Sequence, residues 1–436
     1  MLTASGETDE TLFLPFGFER RSTVIAAVSG GGDSLAMLLM LRDHIDRHRL
    51  STRLVAVTID HGLRPEAADE ARHVAALCEG WGIAHLTRRW DGEKPASGVA
   101  EAARNARYRL LADAAREAGA DLIFTGHTRD DQAETFAMRL ARGGGRGLAG
   151  MDRATLYDRR VWIVRPLLGI GRRELRQRLA ARDIAWIDDP SNENLEAERV
   201  RVRAALARSP GEAEPAIRGA EAVRRERMTA GASVLAVFGK SAMTSPGLVR
   251  VPMSEFRRLD PSVGQYVLRI LVATLGGRSH LPGAAQMPIL GEGNGPSTGR
   301  ATVSRCVIDR RRDAIYVYRE SRGLPARCRA EEEIRWDGRF QIRAGGHPFA
   351  VEAVGHARAA ALTTESDAAP RGLAAAALSA EPHATSDVAP SVERIVAPWA
   401  LFLPQSDVLA YNGVAALIGA KTAPAGPSAG HIDAEA

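Results

Sequence analysis

The chain is predicted to fold as an α/β protein: a doubly wound parallel sheet, followed by a smaller α/β carboxyl-terminal region. Three observations predict this. Short β-branched apolar runs alternate with longer helical stretches from about residue 23 to residue 210. Glycine-bearing turns separate them. No apolar run reaches the roughly 18 residues that span a bilayer, so no membrane partner is expected.

The elements follow in order. TVIAAV (Thr23 to Val28) reads as a buried strand, and the stretch from Leu35 has helix-forming composition. RLVAVTID (Arg53 to Asp60) is a second strand, followed by an amphipathic helix over EAADEARHVAALCEGWG. AHLTRRW is a short strand, and Val99 to Gly119 a long helix stopped by glycine. ADLIFTGH (Ala120 to His127) is a fourth strand, with RDDQAETFAMRLARGG as its helix. RVWIVRPLLG and RRELRQRLAARDI close the series as strand and helix. A parallel sheet of this kind is covered on both faces and binds ligands at the carboxyl ends of its strands, where strand order reverses.

The first such end carries SGGGDS, Ser29 to Ser34. Glycines between a strand and a helix let phosphate oxygens approach a helix N-terminus, whose N–H groups and dipole favour anions. The loop has no lysine, so it is not the G-x-x-x-x-G-K-[ST] loop, and it lacks the G-x-G-x-x-G spacing. Ser29 and Ser34 add hydroxyls, and Asp33 a carboxylate suited to magnesium. A nucleotide phosphate site of neither common type is expected.

TGHTRDDQAET, Thr125 to Thr135, follows the fourth strand. His127 falls at the strand end, while Asp130, Asp131 and Glu134 open the helix, with Asp130 and Glu134 on one face. Acids in a first helical turn also serve capping and the macrodipole. If the sheet reverses between the first and fourth strands, the cluster faces the glycine loop. Asp60 and His61, at the end of the second strand, form either a plain turn or a third wall. On the long helix, Glu101, Arg104, Arg107 and Tyr108 fit ion pairing as well as ligand contact. In WIDDPSNENLEAERVRVRAAL, Pro190 makes a turn, Ser191 or Asn192 can cap, and Arg199 and Arg203 share a helical face able to reach a nucleic-acid backbone.

Composition narrows the class. The 436 residues allow two or three domains, and 45% hydrophobic with 25% charged residues is a globular balance. Cys78, Cys306 and Cys328 form no C-x-x-C pair, which argues against a zinc ribbon, an iron–sulfur site or a disulfide framework and suits a reducing cytoplasm. The N-terminus has no basic n-region of a secretory signal. Net charge is +5, but Arg139 to Arg208 holds 16 arginines against 9 acids. That is either a solvated charged face or a surface for a phosphate-rich partner.

The expected domains are 1–210, catalytic; 211–300, helical and RNA-contacting; and 301–436, β-rich. ATVSRCVIDRRRDAIYVYRE (Ala301 to Glu320) reads as a β-hairpin with a charged turn. Residues 356–391, rich in Ala, Ser, Thr and Pro, read as a disordered insertion.

Taken together, these stretches resemble a known family. SGGGDS is similar to the S-G-G-x-D-S loop of the PP-loop ATP pyrophosphatases. The ordered set DHGLR, the helix with Glu101, Arg104, Arg107 and Tyr108, GHTRDDQAET, RGGGRGLAGM, RPLL, and DPSN followed by R-x-R-x-R resembles the bacterial tRNA(Ile)-lysidine synthetases across residues 22 to 210. The likeness thins beyond residue 230. The resemblance implies that ATP adenylates the C2 carbonyl of the wobble cytidine in an isoleucine tRNA with a CAU anticodon, and that free L-lysine displaces AMP through its ε-amine. It implies ATP contacts at Ser29, Gly30, Gly31, Gly32, Asp33, Ser34 and His61, and Mg2+ at Asp33. It further implies a catalytic set of Asp33, His127, Asp130, Asp131 and Glu134, the three acids of the cluster being candidates for lysine, and tRNA contacts at Arg104, Arg107, Arg199 and Arg203. A cytoplasmic location follows, and a homodimer is left open. The rivals are another PP-loop tRNA base modifier and a non-catalytic nucleotide-binding protein of the same fold.

Overall fold

The computed structural model describes residues 11–188, 196–209, 211, 213–287, 299–364 and 369–427. The expected turn at Pro190 and caps at Ser191 or Asn192 lie outside them. The chain divides into two units, residues 1–227 with 424–436, and residues 228–423.

The first unit holds β1 (Thr23–Ala27), α1 (Gly32–Arg47), β2 (Arg53–Asp60), α2 (Ala67–Gly80), β3 (Ala84–Arg89) and α3 (Val99–Glu117). It continues with β4 (Leu122–Thr125), α4 (Arg129–Ala141), β5 (Ala154–Tyr157), β6 (Val161–Val164), α5 (Arg172–Ala180) and α6 (Glu198–Arg208). Its strands pair in the order β5-β6-β4-β1-β2-β3. All pairs are parallel except β5 with β6. β1 is flanked by β2 on one side and β4 on the other, so the order reverses between β1 and β4. β1 and β4 are buried almost throughout, as parallel strands covered on both faces must be. The antiparallel β5 was not expected. Asp158 and Arg159 turn the chain at positive φ (44° and 61°), which joins β5 to β6 as a hairpin where the charged run DRR concealed a turn.

Helix α7 (Ala213–Lys240) contains the division at residues 227/228. The second unit is built on antiparallel sheets. One has the order β7-β8-β11-β10-β9, formed by β7 (Ala242–Ser245), β8 (Leu248–Pro252), β9 (Gly299–Val303), β10 (Cys306–Arg310) and β11 (Ala314–Arg319). The expected hairpin over residues 301–320 is therefore two successive hairpins. The expected boundary at residue 300 falls inside this sheet, because Leu248–Pro252 pairs with Ala314–Tyr318.

The expectation of disorder over 356–391 is also corrected. His356–Leu362 and Arg371–Leu378 are helices, and Pro382–Thr385 and Ser391–Arg394 are strands. Ala369, Leu373, Ala374 and Ala377 pack against Leu248, Tyr316 and Tyr318 of the five-stranded sheet. Alanine is the best helix former, and its small side chain lets a helix lie close on aromatic rings. The same smallness removes the large apolar repeats that announce a core helix in sequence.

Candidate nucleotide site at the strand-order reversal

A cavity of about 750 Å³ opens at the carboxyl ends of the first unit's strands. Its floor is the glycine loop. Gly30 takes φ +83°, and a Cβ there would sit 2.9 Å from Ile187 Cδ1. The Gly30 carbonyl accepts from the Ile187 N–H at 3.0 Å, which ties the loop to the segment before α6. Ser34 locks the loop from inside. Its hydroxyl donates to the Gly31 carbonyl (2.9 Å) while its oxygen accepts from the Ser29 N–H (3.1 Å). The Ser29 hydroxyl lies 3.2 Å from it. Ser34 is thus a structural clasp of the loop, and Ser29 is the more exposed of the two hydroxyls. α1 starts at Gly32 with no side-chain cap, and Gly31, Gly32 and Asp33 line the cavity, so no described side chain satisfies the N–H groups that open the helix.

The loop after β4 closes on this floor. A Cβ on Gly126 would lie 2.7 Å from the Asp33 carbonyl oxygen, so only glycine allows the two loops to touch. His127 lines the cavity, held through Nδ1 by the Thr125 hydroxyl at 3.0 Å. Burial, and then the Arg165, Arg199, Arg104 and Arg107 guanidiniums, push its pKa well below the ordinary histidine value. His61, beside Arg107, is pushed down to about 4, mainly by burial.

The acids are bound together by arginines. Arg172, at the first position of α5, donates to Asp33 Oδ2 (3.0 Å), Asp131 Oδ1 (3.1 Å) and Glu134 Oε1 (3.4 Å). Arg199 donates to Asp131 Oδ1 (2.6 Å) and Glu134 Oε2 (2.7 Å), and Arg203 to Glu134 Oε1 (2.7 Å). Asp131 Oδ2 forms a capping box with Thr128, accepting from its N–H and hydroxyl. Capping and ion pairing therefore divide one carboxylate between them. Asp130 Oδ2 accepts from the Arg172 N–H (2.7 Å), holding the start of α5. Asp33 differs. Its Oδ1 is buried with no hydrogen-bond partner, and burial raises its pKa.

Of the expected site residues, Ser29, Gly31, Gly32, Asp33, Ser34, Arg107, His127, Asp131, Arg199 and Arg203 line the cavity. Gly30, Asp130, Glu134, His61 and Arg104 do not. Glu134 is nearly fully buried behind the arginines, and Arg104 lies over the Tyr108 ring. Sequence reasoning missed Arg172 and Thr125. A signal for Arg172 exists: two arginines open α5, at the end of a helix whose dipole disfavours cations. Among the described residues no group of three or more His, Cys, Asp or Glu side chains forms a metal site.

The fold and this site define a PP-loop protein, and residues 7–209 match the family model described as "PP-loop domain". The relatives are more particular. The chain is 43% identical to the tRNA(Ile)-lysidine synthase of Mesorhizobium japonicum over 99% of both chains, and 39% identical to that of Rhizobium meliloti over 93% of both. It is 41% identical to that of Brucella melitensis biotype 2, over 79% of this chain and 80% of the relative. The chain belongs to the tRNA(Ile)-lysidine synthase family. Among solved structures, the U34-tRNA thiolase NcsA from Methanococcus maripaludis superposes with a TM-score of 0.43 at 19% identity, over 49% of this chain and 77% of that one.

Proposed function

We propose that the protein ligates lysine onto C2 of the wobble cytidine of an isoleucine tRNA with a CAU anticodon, consuming ATP and releasing AMP and pyrophosphate. The observation that carries the reading is the glycine cradle at the strand-order reversal with a bare Asp33 oxygen beside it, in a chain of this family. The C2 oxygen is a poor leaving group until it is adenylated. The site therefore has to hold the base against the α-phosphate, which is mainly positioning and charge neutralisation. The loop N–H groups and Ser29 would hold the departing pyrophosphate. An orphaned carboxylate oxygen fits Mg2+, an ion commonly held by one or two carboxylates plus phosphates, and magnesium there would neutralise phosphate charge.

The acids and arginines are read as an exchange. Both oxygens of Asp131 and of Glu134 already accept two hydrogen bonds each, counting the longer 3.5 Å contact from Arg203 Nη2. A lysine ammonium can reach them only when a guanidinium leaves. Arg199 and Arg203 are partly exposed, and RNA phosphates offer them an alternative partner. RNA binding would then free the acids for lysine.

The test is pyrophosphate release from ATP with purified isoleucine CAU tRNA, with and without lysine, followed by mass spectrometry of the anticodon base. A lysine adduct on the wobble cytidine is expected. Sulfur or another amine at that base would keep the adenylation chemistry and overturn the substrate.

A further inference from the structure

Thr125 has a single hydroxyl proton, and one assignment satisfies both of its contacts. Its Oγ1 donates to the Val164 carbonyl on the neighbouring strand at 3.1 Å, deep in the sheet. The same oxygen lies 3.0 Å from His127 Nδ1. With its proton already given to Val164, the oxygen can only accept from the imidazole. Nδ1 therefore carries the hydrogen, and Nε2 holds a lone pair. Among the described residues nothing donates to Nε2, and His127 lines the cavity.

The surroundings make this acceptor unusual. Arg104 and Arg107 of α3, Arg165 after β6 and Arg199 of α6 all act on His127 to disfavour a second proton. Burial acts the same way. The imidazole thus stays neutral, an open proton acceptor in a wall of cationic donors. Neither ATP phosphates nor an RNA backbone calls for such a group. The amine nucleophile does, because it has to lose a proton in order to bond carbon.

We propose that Thr125 is a positioning residue that fixes His127 as its Nδ1–H tautomer, and that the bare Nε2 takes the proton of the attacking amine. The proposal rests on the lysine-ligating reading above. In the step, the ε-nitrogen, having first released its ammonium proton to water, forms a bond to C2 as the neutral amine. The bond from C2 to the adenylated oxygen breaks, and its electron pair leaves with AMP. The proton lost by nitrogen passes to Nε2. The flanking arginines then favour its release to water, which resets the neutral ring.

Two readouts test this. In the 15N spectrum of selectively labelled wild-type protein, His127 is expected as the Nδ1–H tautomer. An Nε2–H tautomer or an imidazolium at neutral pH overturns the proposal without any activity measurement. In single-turnover assays that separate tRNA adenylation from lysine transfer, Thr125→Val is expected to slow transfer about 10- to 100-fold, less than the roughly 100- to 10,000-fold contribution of a general base, because the imidazole itself remains. Adenylation and the KM for ATP should stay within about twofold. Thr125→Ser, which keeps the hydroxyl and remains testable if the valine variant fails to fold, should restore both tautomer and transfer. Equal slowing of both steps, or transfer within twofold of wild type in Thr125→Val, removes the positioning role. Wild-type protein that forms no lysine adduct condemns the functional reading instead, and the tautomer measurement still stands apart from it.

Discussion

Asp33 gives one carboxylate oxygen to Arg172 and leaves the other buried and bare. Burial raises its pKa even with a guanidinium at 3.0 Å, so one cation does not fully compensate the charge. Asp33→Asn keeps the shape and removes the charge. It is expected to lower magnesium-dependent pyrophosphate release at least about 100-fold, the scale of a lost electrostatic contact in a reacting site, with an unchanged thermal midpoint. Full ATP consumption in that variant would end the metal role. Asp131 and Glu134 carry a different expectation, since their acceptor sites are filled by arginine and Thr128. Calorimetric titration of lysine should show affinity at least about tenfold higher with tRNA bound than without, and linkage then requires lysine to tighten tRNA equally. Equal lysine affinity in both states would leave the proposed exchange of arginine for lysine without support.

At the scale of elements, two contacts decide the site. The first is the approach of the loop after β4 to the start of α1. Gly126→Ala puts a methyl group within 2.7 Å of a backbone oxygen that cannot rotate away, so the loops must part. Nucleotide affinity is expected to fall about tenfold or more while the unit stays folded, and unchanged affinity would mean that the two loops need not touch. The second contact is α6 on α4. No residue of α6 is buried, so apolar packing does not hold it. Arg199 and Arg203 on Glu134 and Asp131, with Glu198 on Arg142, do. The arginine side of these pairs is partly exposed while Glu134 is buried, so salt weakens them in part as the screening length falls from about 10 Å at 0.1 M to about 3 Å at 1 M. Amide exchange in α6 should accelerate several-fold over that range while α4 holds. Equal protection in both salts would point to packing that its exposure does not suggest.

For the whole molecule, the buried histidines set the acid limit. His44, packed beside Phe13 and Phe18, is held at about 4, chiefly by burial, and His61 at about 4 as well. Unfolded histidine titrates near 6.5. Between those values the unfolded chain binds protons that the folded chain refuses, so stability falls as pH drops from 6.5 towards 4 and is insensitive to these groups above 6.5. Urea midpoints at pH 7, 5.5 and 4.5 should decline accordingly, and His44→Phe should flatten part of that slope. An identical slope in the variant would assign the acid sensitivity to other groups. No described helix is long and apolar enough to cross a bilayer.

The sequence by itself determined the alternating strands and helices, the glycine loop, the cluster after β4 and the family likeness across residues 22–210. These are local signals: periodicity, turn chemistry and residue spacing within one element. Tertiary structure alone decided the rest. Arg172 lies 139 positions from Asp33, and Thr125 acts through Val164 on another strand, so neither pairing is visible along the chain. The boundary near residue 300 failed for the same reason, because β8 pairs with β11 across more than sixty intervening positions. The alanine-rich segment was misread because its helix is defined by the aromatic surface it covers and not by its own pattern. Ion pairs, tautomers and packed small residues depend on what the fold brings opposite them, and sequence spacing carries no record of that.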